Sequence, residues 1–380
     1  MSTPPKSDAH ASPAIAPLRG VRVLELATMI TGPLAGMMLG DLGAEVLKIE
    51  RPGGDPFRKY NDTLYSPQFV AFNRNKTSRI LDLKTREDRD VLRGLLRDHD
   101  VLIENMRPGS LDALGMGADA LRELNPRLIQ CSITGFGASG PYRDRPAYDG
   151  VGQALSGIAS LALDADEPAL VGTTISDNVT GMYACYAIMA ALYERRDTGL
   201  GRRLEVNMLE SSVAFMPDAF LHHDMFGVTA GPLTRIASSC AFAFKCGDGK
   251  LLAIHLSANE ANWRGLARAL GEPGLAEDPR YVERRGRAAN YRALRAQLAP
   301  LFARRPRSEW IDLLVDEDVP CAPVKTPPEV LEDEQILALG AFRAMPLANG
   351  MTARLPHVPV LFDGARAEAW APPPAYPGER

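Results

Sequence analysis

Between residues 20 and 137 short apolar strand segments alternate with helical ones, and that alternation leaves the chain few folds. "GVRVLEL" (20–26) reads as a buried strand, "GPLAGMMLGDLG" (32–43) as a helix, and "AEVLKIE" (44–50) as the next strand. Strand "SRILDL" (78–83), helix "REDRDVLRGLLRDH" (86–99), strand "DVLIEN" (100–105), a short helix at "ADALRELN" (118–125) and strand "RLIQCSITGFG" (127–137) follow. Strands separated by helices are joined by crossovers, so the expected class is α/β with a mostly parallel sheet. Such sheets gather ligands beyond the carboxyl ends of their strands. The loops that begin at Thr28, Arg51, Lys84, Asn105 and Thr134 are therefore where a site is expected.

The stretch "VGTTISDNVTGM" (171–182) leads into a long helix whose apolar residues Val179, Met182, Tyr183, Tyr186, Met189 and Tyr193 recur at helical spacing. Its one charged side chain, Asp177, has two readings. Aspartate is among the best N-caps, and a carboxylate at a helix mouth is also a candidate for chemistry. "RRLEVNMLESSVAFM" then offers a further strand and helix, and the character changes near residue 225. "CAFAFKCGDGKLLAIHLS" is a hairpin turning at Asp248-Gly249. Helices are expected at "NEANWRGLARAL", "YRALRAQLAPLFA" and "RSEWIDLLVDEDV". The domain reading is a disordered tail over 1–16, a large domain over 17–224, a small α+β domain over 225–330, and a segment over 331–380 that returns to the large domain.

A net charge of −4 over 380 residues, with no basic run interleaved with aromatics, argues against nucleic-acid and anionic-membrane partners. No apolar stretch is long enough to span a bilayer. The Pro-, Ser- and Ala-rich start lacks the apolar run of a secretory signal. Five scattered cysteines without a C-x-x-C read as reduced thiols in a cytoplasmic protein. His222, His223 and Asp224 are adjacent and do not converge on one helix face, so no metal is expected.

Several familiar chemistries are missing. Glu50 ends the second strand where a ribose-binding acid sits in dinucleotide folds, yet the first turn, "LATMITGPLAG", lacks G-x-G-x-x-G. Its glycines, four apart, suit a smooth helix face packed closely on the sheet. There is no P-loop and no G-x-S-x-G elbow, and Ser211-Ser212 have no histidine nearby in sequence. Arg51, Lys84 and Arg107 follow strands, and each reads either as a solvated loop charge or as a phosphate or adenine contact.

Taken in order, "LRGVRVLELATMITGPLAGMMLGDLGAEVLKIERPGGD", "LDLK", "LIENMRPG", "LNPRLIQCSITGFGASGPYRDRPAYDGVGQALSG", "ISDNVTGMYACYAIMAALYERRDTGLGRRLEVNMLES" and "VPCAPVKTPPEVL" closely resemble the family III CoA-transferases of the CaiB/BaiF type, in the formyl-CoA transferase and α-methylacyl-CoA racemase superfamily. The resemblance runs from about residue 17 to about 365. It implies a Rossmann-like, CoA-binding large domain built from both chain ends, a small central domain, and a homodimer of interlocked ring-like protomers. It implies acyl-CoA as donor substrate, a carboxylic acid as acceptor, and no tightly bound cofactor. Asp177 matches the family's nucleophilic aspartate. Ile30, Thr31, Arg51, Leu83, Lys84, Asn105, Met106, Arg107, Gly135 and Phe136 match its CoA-contacting loops.

Three positions depart from the pattern. Ala113 stands where many members carry a basic residue. "GVTAGPLTRIASS" holds only Gly227 and Gly231 where formyl-CoA transferases carry a glycine run. Tyr148 stands where the racemases place a histidine. Two rival functions follow: a racemase, which needs two proton carriers on opposite faces of the α-carbon, and a catalytically silent CoA-binding protein. Arg235, ahead of the small domain, reads either as an exposed loop charge or as a partner for a second substrate carboxylate.

Overall fold

The structure is a computed structural model that describes residues 15–376 except 63, 171 and 258. Most of the tail expected over 1–16 lies outside the described residues. Two compact units emerge. One holds the described residues up to Ile158, Gly172–Phe215, and those from Gly340 onward; the other holds Met216–Leu339 with the segment beginning at Ala159. The divisions fall at 215/216 and 339/340, the first before and the second after the 224/225 and 330/331 read from the sequence.

The first unit is built on six parallel strands: β1 (Arg22–Leu26), β2 (Glu45–Glu50), β3 (Lys76–Ile80), β4 (Val101–Glu104), β5 (Ile129–Thr134) and β6 (Arg203–Asn207). Their order is β3-β2-β1-β4-β5-β6, that of a doubly wound Rossmann-type sheet. Leu24 pairs with Leu47 on one side and Leu102 on the other. The helices are α1 (Thr31–Asp41), α2 (Pro67–Phe72), α3 (Arg86–Asp98), α4 (Ser110–Ala113), α5 (Ala118–Leu124), α6 (Asp149–Ser156), α7 (Ile175–Thr198) and α8 (Met208–Phe215). Alternate strand residues feed two cores, as a sheet covered on both faces requires. Val23, Ile103 and Cys131 pack with α1 and α7, while Leu24 and Leu102 pack with α3 and α5.

The glycine stripe of α1 lies against the sheet. A Cβ at Gly32 would collide with the Ala27 side chain, and one at Gly36 with the Glu25 carboxylate. Helix α7 crosses α1 as closely: a Cβ at Gly181 would come 2.7 Å from the Thr31 carbonyl oxygen. The buried face of α7 is therefore the small one, with Gly181, Ala184, Cys185 and Ile188. Of the periodic residues, only Val179 is buried; Met182, Tyr186 and Tyr193 are exposed. Near the end of the chain, Asn75 N–H donates to Ala371 O at 3.0 Å and Arg58 to Pro374 O at 3.1 Å.

In the second unit Ala241–Lys245, Leu251–His255 and Cys321–Pro323 form an antiparallel sheet. Its hairpin turns at Asp248-Gly249, with Gly249 at φ 79°. Stacked rings, including Phe244 on Phe302 with centroids 4.4 Å apart, fill the core. Arg235 donates to Ser239 Oγ at 2.6 Å and lies 3.6 Å from Asp218. Among the described residues no helix is long and apolar enough to cross a membrane, and no cluster of His, Cys, Asp and Glu is arranged for a metal.

Candidate active site

In a doubly wound sheet the crevice opens where strand order reverses, here between β1 and β4. Their outgoing loops are joined by Asn105. Its Oδ1 accepts the Thr28 N–H at 3.0 Å, and its Nδ2 donates to Thr28 O at 2.8 Å and Thr31 Oγ1 at 3.2 Å. Both amide hydrogens are used, so the side chain sets the shape of the crevice and has no donor left for a ligand.

A cleft opens beside this clasp. Seven of the expected residues line it: Ile30, Thr31, Asn105, Met106, Arg107, Gly135 and Asp177. Arg51, Leu83, Lys84 and Phe136 do not. Arg51 follows β2 and donates to Gly54 O at a long 3.4 Å. Leu83 packs partly against the α3 core, and the Lys84 carbonyl accepts from Arg89 at 2.9 Å. Phe136 makes an edge contact with Tyr142. These positions lie on loops at the same carboxyl edge of the sheet. Glu50, the ribose-type acid, is spent elsewhere: Arg58 grips it with two 2.7 Å bonds, and Ser78 donates to it at 2.5 Å.

Asp177 is not the N-cap. That place belongs to Thr174, whose side chain makes no capping bond, and Asp177 is the third residue of α7. Its backbone N–H, one of the orphan donors of a helix start, is accepted by Asp149 Oδ1 at 3.2 Å. Asp149 begins α6, and its other oxygen accepts from Gln153 Nε2 at 2.6 Å. Gln153 also donates to Thr173 O at 3.3 Å, tying α6 to the α7 entry. Among the described residues no donor reaches the Asp177 carboxyl group. Burial, and then the neighbouring Asp149 charge, push that carboxyl up to about 7.

Sequence reasoning missed four lining or supporting residues. Arg143 and Arg145 also line the cleft; two arginines in a Pro- and Gly-rich loop after a strand were a usable signal. Met29 lines it with a left-handed backbone at φ 67°, which nothing in "ATMITG" announces. Asp149 lies 28 residues from its partner, with no periodicity linking them. Tyr148, noted above as a departure, lines the cleft and is exposed. Ser212 donates to Ser176 Oγ at 2.8 Å within the buried α7–α8 contact, a structural use.

The family model for CoA-transferase family III matches residues 18–380. The chain belongs to the family III CoA-transferases. Among the curated relatives of this family III chain is the acetyl-CoA:oxalate CoA-transferase of Acetobacter aceti, 36% identical over 318 residues, covering 81% of this chain and 80% of that one. The succinyl-CoA:glutarate CoA-transferase of Mus musculus is 31% identical over 382 residues, covering 97% and 85%. The crystal structure of a CaiB/BaiF family protein from Brucella suis superposes with a TM-score of 0.84 at 31% identity, covering 95% of this chain and 96% of that one.

Proposed function

We propose that this protein moves coenzyme A from an acyl-CoA donor to a free carboxylic acid through a covalent relay on Asp177. The observation that carries the reading is the division of labour at the α7 entry: Asp149 caps the helix, leaving the Asp177 carboxyl group unengaged in the cleft. A carboxyl raised to about 7 is a stronger base once ionised than an ordinary aspartate, and so a better nucleophile toward a thioester carbonyl.

The relay balances without ATP or redox chemistry. Ionised Asp177 attacks the donor thioester carbonyl; the C–S bond breaks, releasing CoA thiolate and leaving an acyl-aspartyl anhydride. The thiolate attacks the aspartyl carbonyl, expelling the donor acid as carboxylate and forming an aspartyl-CoA thioester. The acceptor carboxylate then displaces thiolate from that thioester, and the thiolate takes the acceptor acyl group from the second anhydride. Asp177 is regenerated, and one thioester has been exchanged for another. Arg107, Arg143 and Arg145 supply positive charge around the cleft, suited to the phosphates of CoA and to an acceptor carboxylate. No step calls for a tightly bound cofactor.

The working form is a homodimer in the cytoplasm. The exposed methionine and tyrosine face of α7 supports the first, and five free cysteines fit the second. The deciding experiment incubates wild-type protein with acyl-CoA alone, quenches with hydroxylamine and measures the Asp177 peptide by mass. A hydroxamate there is expected. Its absence, together with deuterium wash-in at the α-carbon without an acceptor acid, would make the protein a racemase; neither reaction would make it a silent binder.

A further inference from the structure

The β1–α1 turn forms one wall of the cleft and contains Met29 at φ 67°. A non-glycine residue keeps that backbone only where its surroundings hold it. Lys48, on β2 and fully buried, donates from Nζ to the Ala27 carbonyl at 2.7 Å and to Glu25 Oε1 at 2.9 Å, and sits 3.0 Å from Asp55 Oδ2. That same Asp55 oxygen accepts the Met29 N–H at 3.4 Å, while Asp55 Oδ1 accepts the Phe57 N–H at 2.9 Å. Asp55 is itself fixed, since its N–H donates to the Arg58-bound Glu50 at 2.9 Å. With Asn105 holding Thr28, the backbone groups leading into Met29, and its own N–H, are tied down.

Behind the turn, Glu25, Lys48, Asp55 and Lys76 form a closed set of two carboxylates and two ammonium groups, all buried. Burial pushes the Glu25 carboxyl up, and Lys48 and Lys76 overcome it, so Glu25 lies below its ordinary value. Stability alone does not account for such a set, because well-packed apolar residues of similar volume often hold a core as well. What the charges add is direction: a donor for Ala27 O, an acceptor for Met29 N–H, and, from Lys76, a donor for Pro33 O at 2.8 Å. All three backbone groups belong to the turn or to the first turn of α1.

We infer that Lys48 and Asp55 are positioning residues that hold Met29 in its left-handed conformation and so fix the wall, Thr28 to Thr31, against which acyl-CoA binds. The inference rests on the CoA-transfer reading for its ligand, but the positioning itself is measurable without one. Asp55→Asn keeps the size and one acceptor oxygen but loses the charge and the second acceptor. Hydrogen exchange of the peptide covering 27–34 should quicken in this variant, while exchange of the α7 entry stays as in wild type. The kcat/KM for acyl-CoA should fall roughly ten- to a hundredfold, the scale of a displaced binding wall, mostly through KM. In a Met29→Gly background the same Asp55→Asn change should cost much less, because glycine reaches positive φ unaided. Lys48→Gln, which keeps a donor for Ala27 O, is read in the same way as an independent variant. Wild-type exchange over 27–34 in a folded Asp55→Asn or Lys48→Gln protein overturns the inference. So does an equal cost with and without Met29→Gly. Quickened exchange in a protein whose wild type transfers no CoA leaves the positioning intact and removes the proposed function instead.

Discussion

Asp149 Oδ1 accepts the backbone N–H of Asp177 at 3.2 Å, and the same Asp149 charge helps raise the Asp177 carboxyl to about 7. One aspartate thus does the structural work of a helix cap and also tunes the other. The pairing separates two tasks that a single residue at a helix mouth would otherwise combine, and it makes their consequences separable by mutation.

Asp177→Asn is expected to abolish CoA transfer while making the protein more stable at alkaline pH. The folded-state pKa near 7 lies above the unfolded value of about 3.8, so the native state binds the proton more tightly. Below pH 3.8 both states are protonated and nothing is lost. As pH rises toward 7 the ionised carboxylate becomes a penalty, which then stays constant, on the order of 1–3 kcal/mol after allowance for solvent screening. The thermal midpoint of Asp177→Asn should exceed wild type at pH 8 and converge with it at pH 4. A lower midpoint at pH 8 would mean that Asp177 stabilises its helix after all.

Asp149 admits two substitutions with different outcomes. Asp149→Asn keeps an oxygen for the Asp177 N–H and removes the charge, so the Asp177 pKa should fall, though burial still holds it above an ordinary aspartate. The acid limb of kcat/KM against pH, which reports the free enzyme, should move to lower pH. Asp149→Ala also removes the acceptor and should cost about 0.5–2 kcal/mol, as loss of a cap does. An acid limb that stays in place in Asp149→Asn would show that burial alone sets the Asp177 carboxyl.

Much of this was legible in the chain. The strand runs gave the sheet, and the four-residue spacing of Gly32, Gly36 and Gly40 gave the close fit of α1. Loops after strands gave most of the cleft. What escaped has physical causes. Periodicity reports that a helix has an apolar face but not what that face meets. On α7 the Met182, Tyr186 and Tyr193 stripe points outward while the small residues Gly181 and Ala184 are buried. Lys48 and Glu25 occupy strand positions whose full burial follows only once both neighbouring strands and α1 are in place. Asp149 and Asp177 meet because two helices start side by side, a relation that neither local stretch contains.

Arg51 tests the outer reach of the ligand. Among the described residues its side chain is held by little more than the 3.4 Å contact to Gly54 O, so Arg51→Ala should leave stability within about 0.5 kcal/mol. If Arg51 meets the nucleotide end of CoA, the KM for acyl-CoA rises more than kcat falls, because the contact serves ground and transition states alike. An unchanged KM would leave Arg51 as a loop charge.

The outward face of α7 makes the last prediction. Met182 is 55% exposed, Tyr186 66% and Tyr193 70%, along a helix whose other face is fully packed. Contiguous apolar surface of this kind on a folded chain marks a site of association, and a helix stripe of aromatic and methionine side chains has the composition of an interface core. The expected occupant is a second copy of the chain. Sedimentation at micromolar protein should give twice the chain mass, and, if the protomers are linked as the family resemblance implies, dilution into the nanomolar range should not dissociate it. Hydrogen exchange in the dimer should be slow along α7. A monomer at micromolar concentration would leave the face unexplained and would remove the homodimer from the proposal.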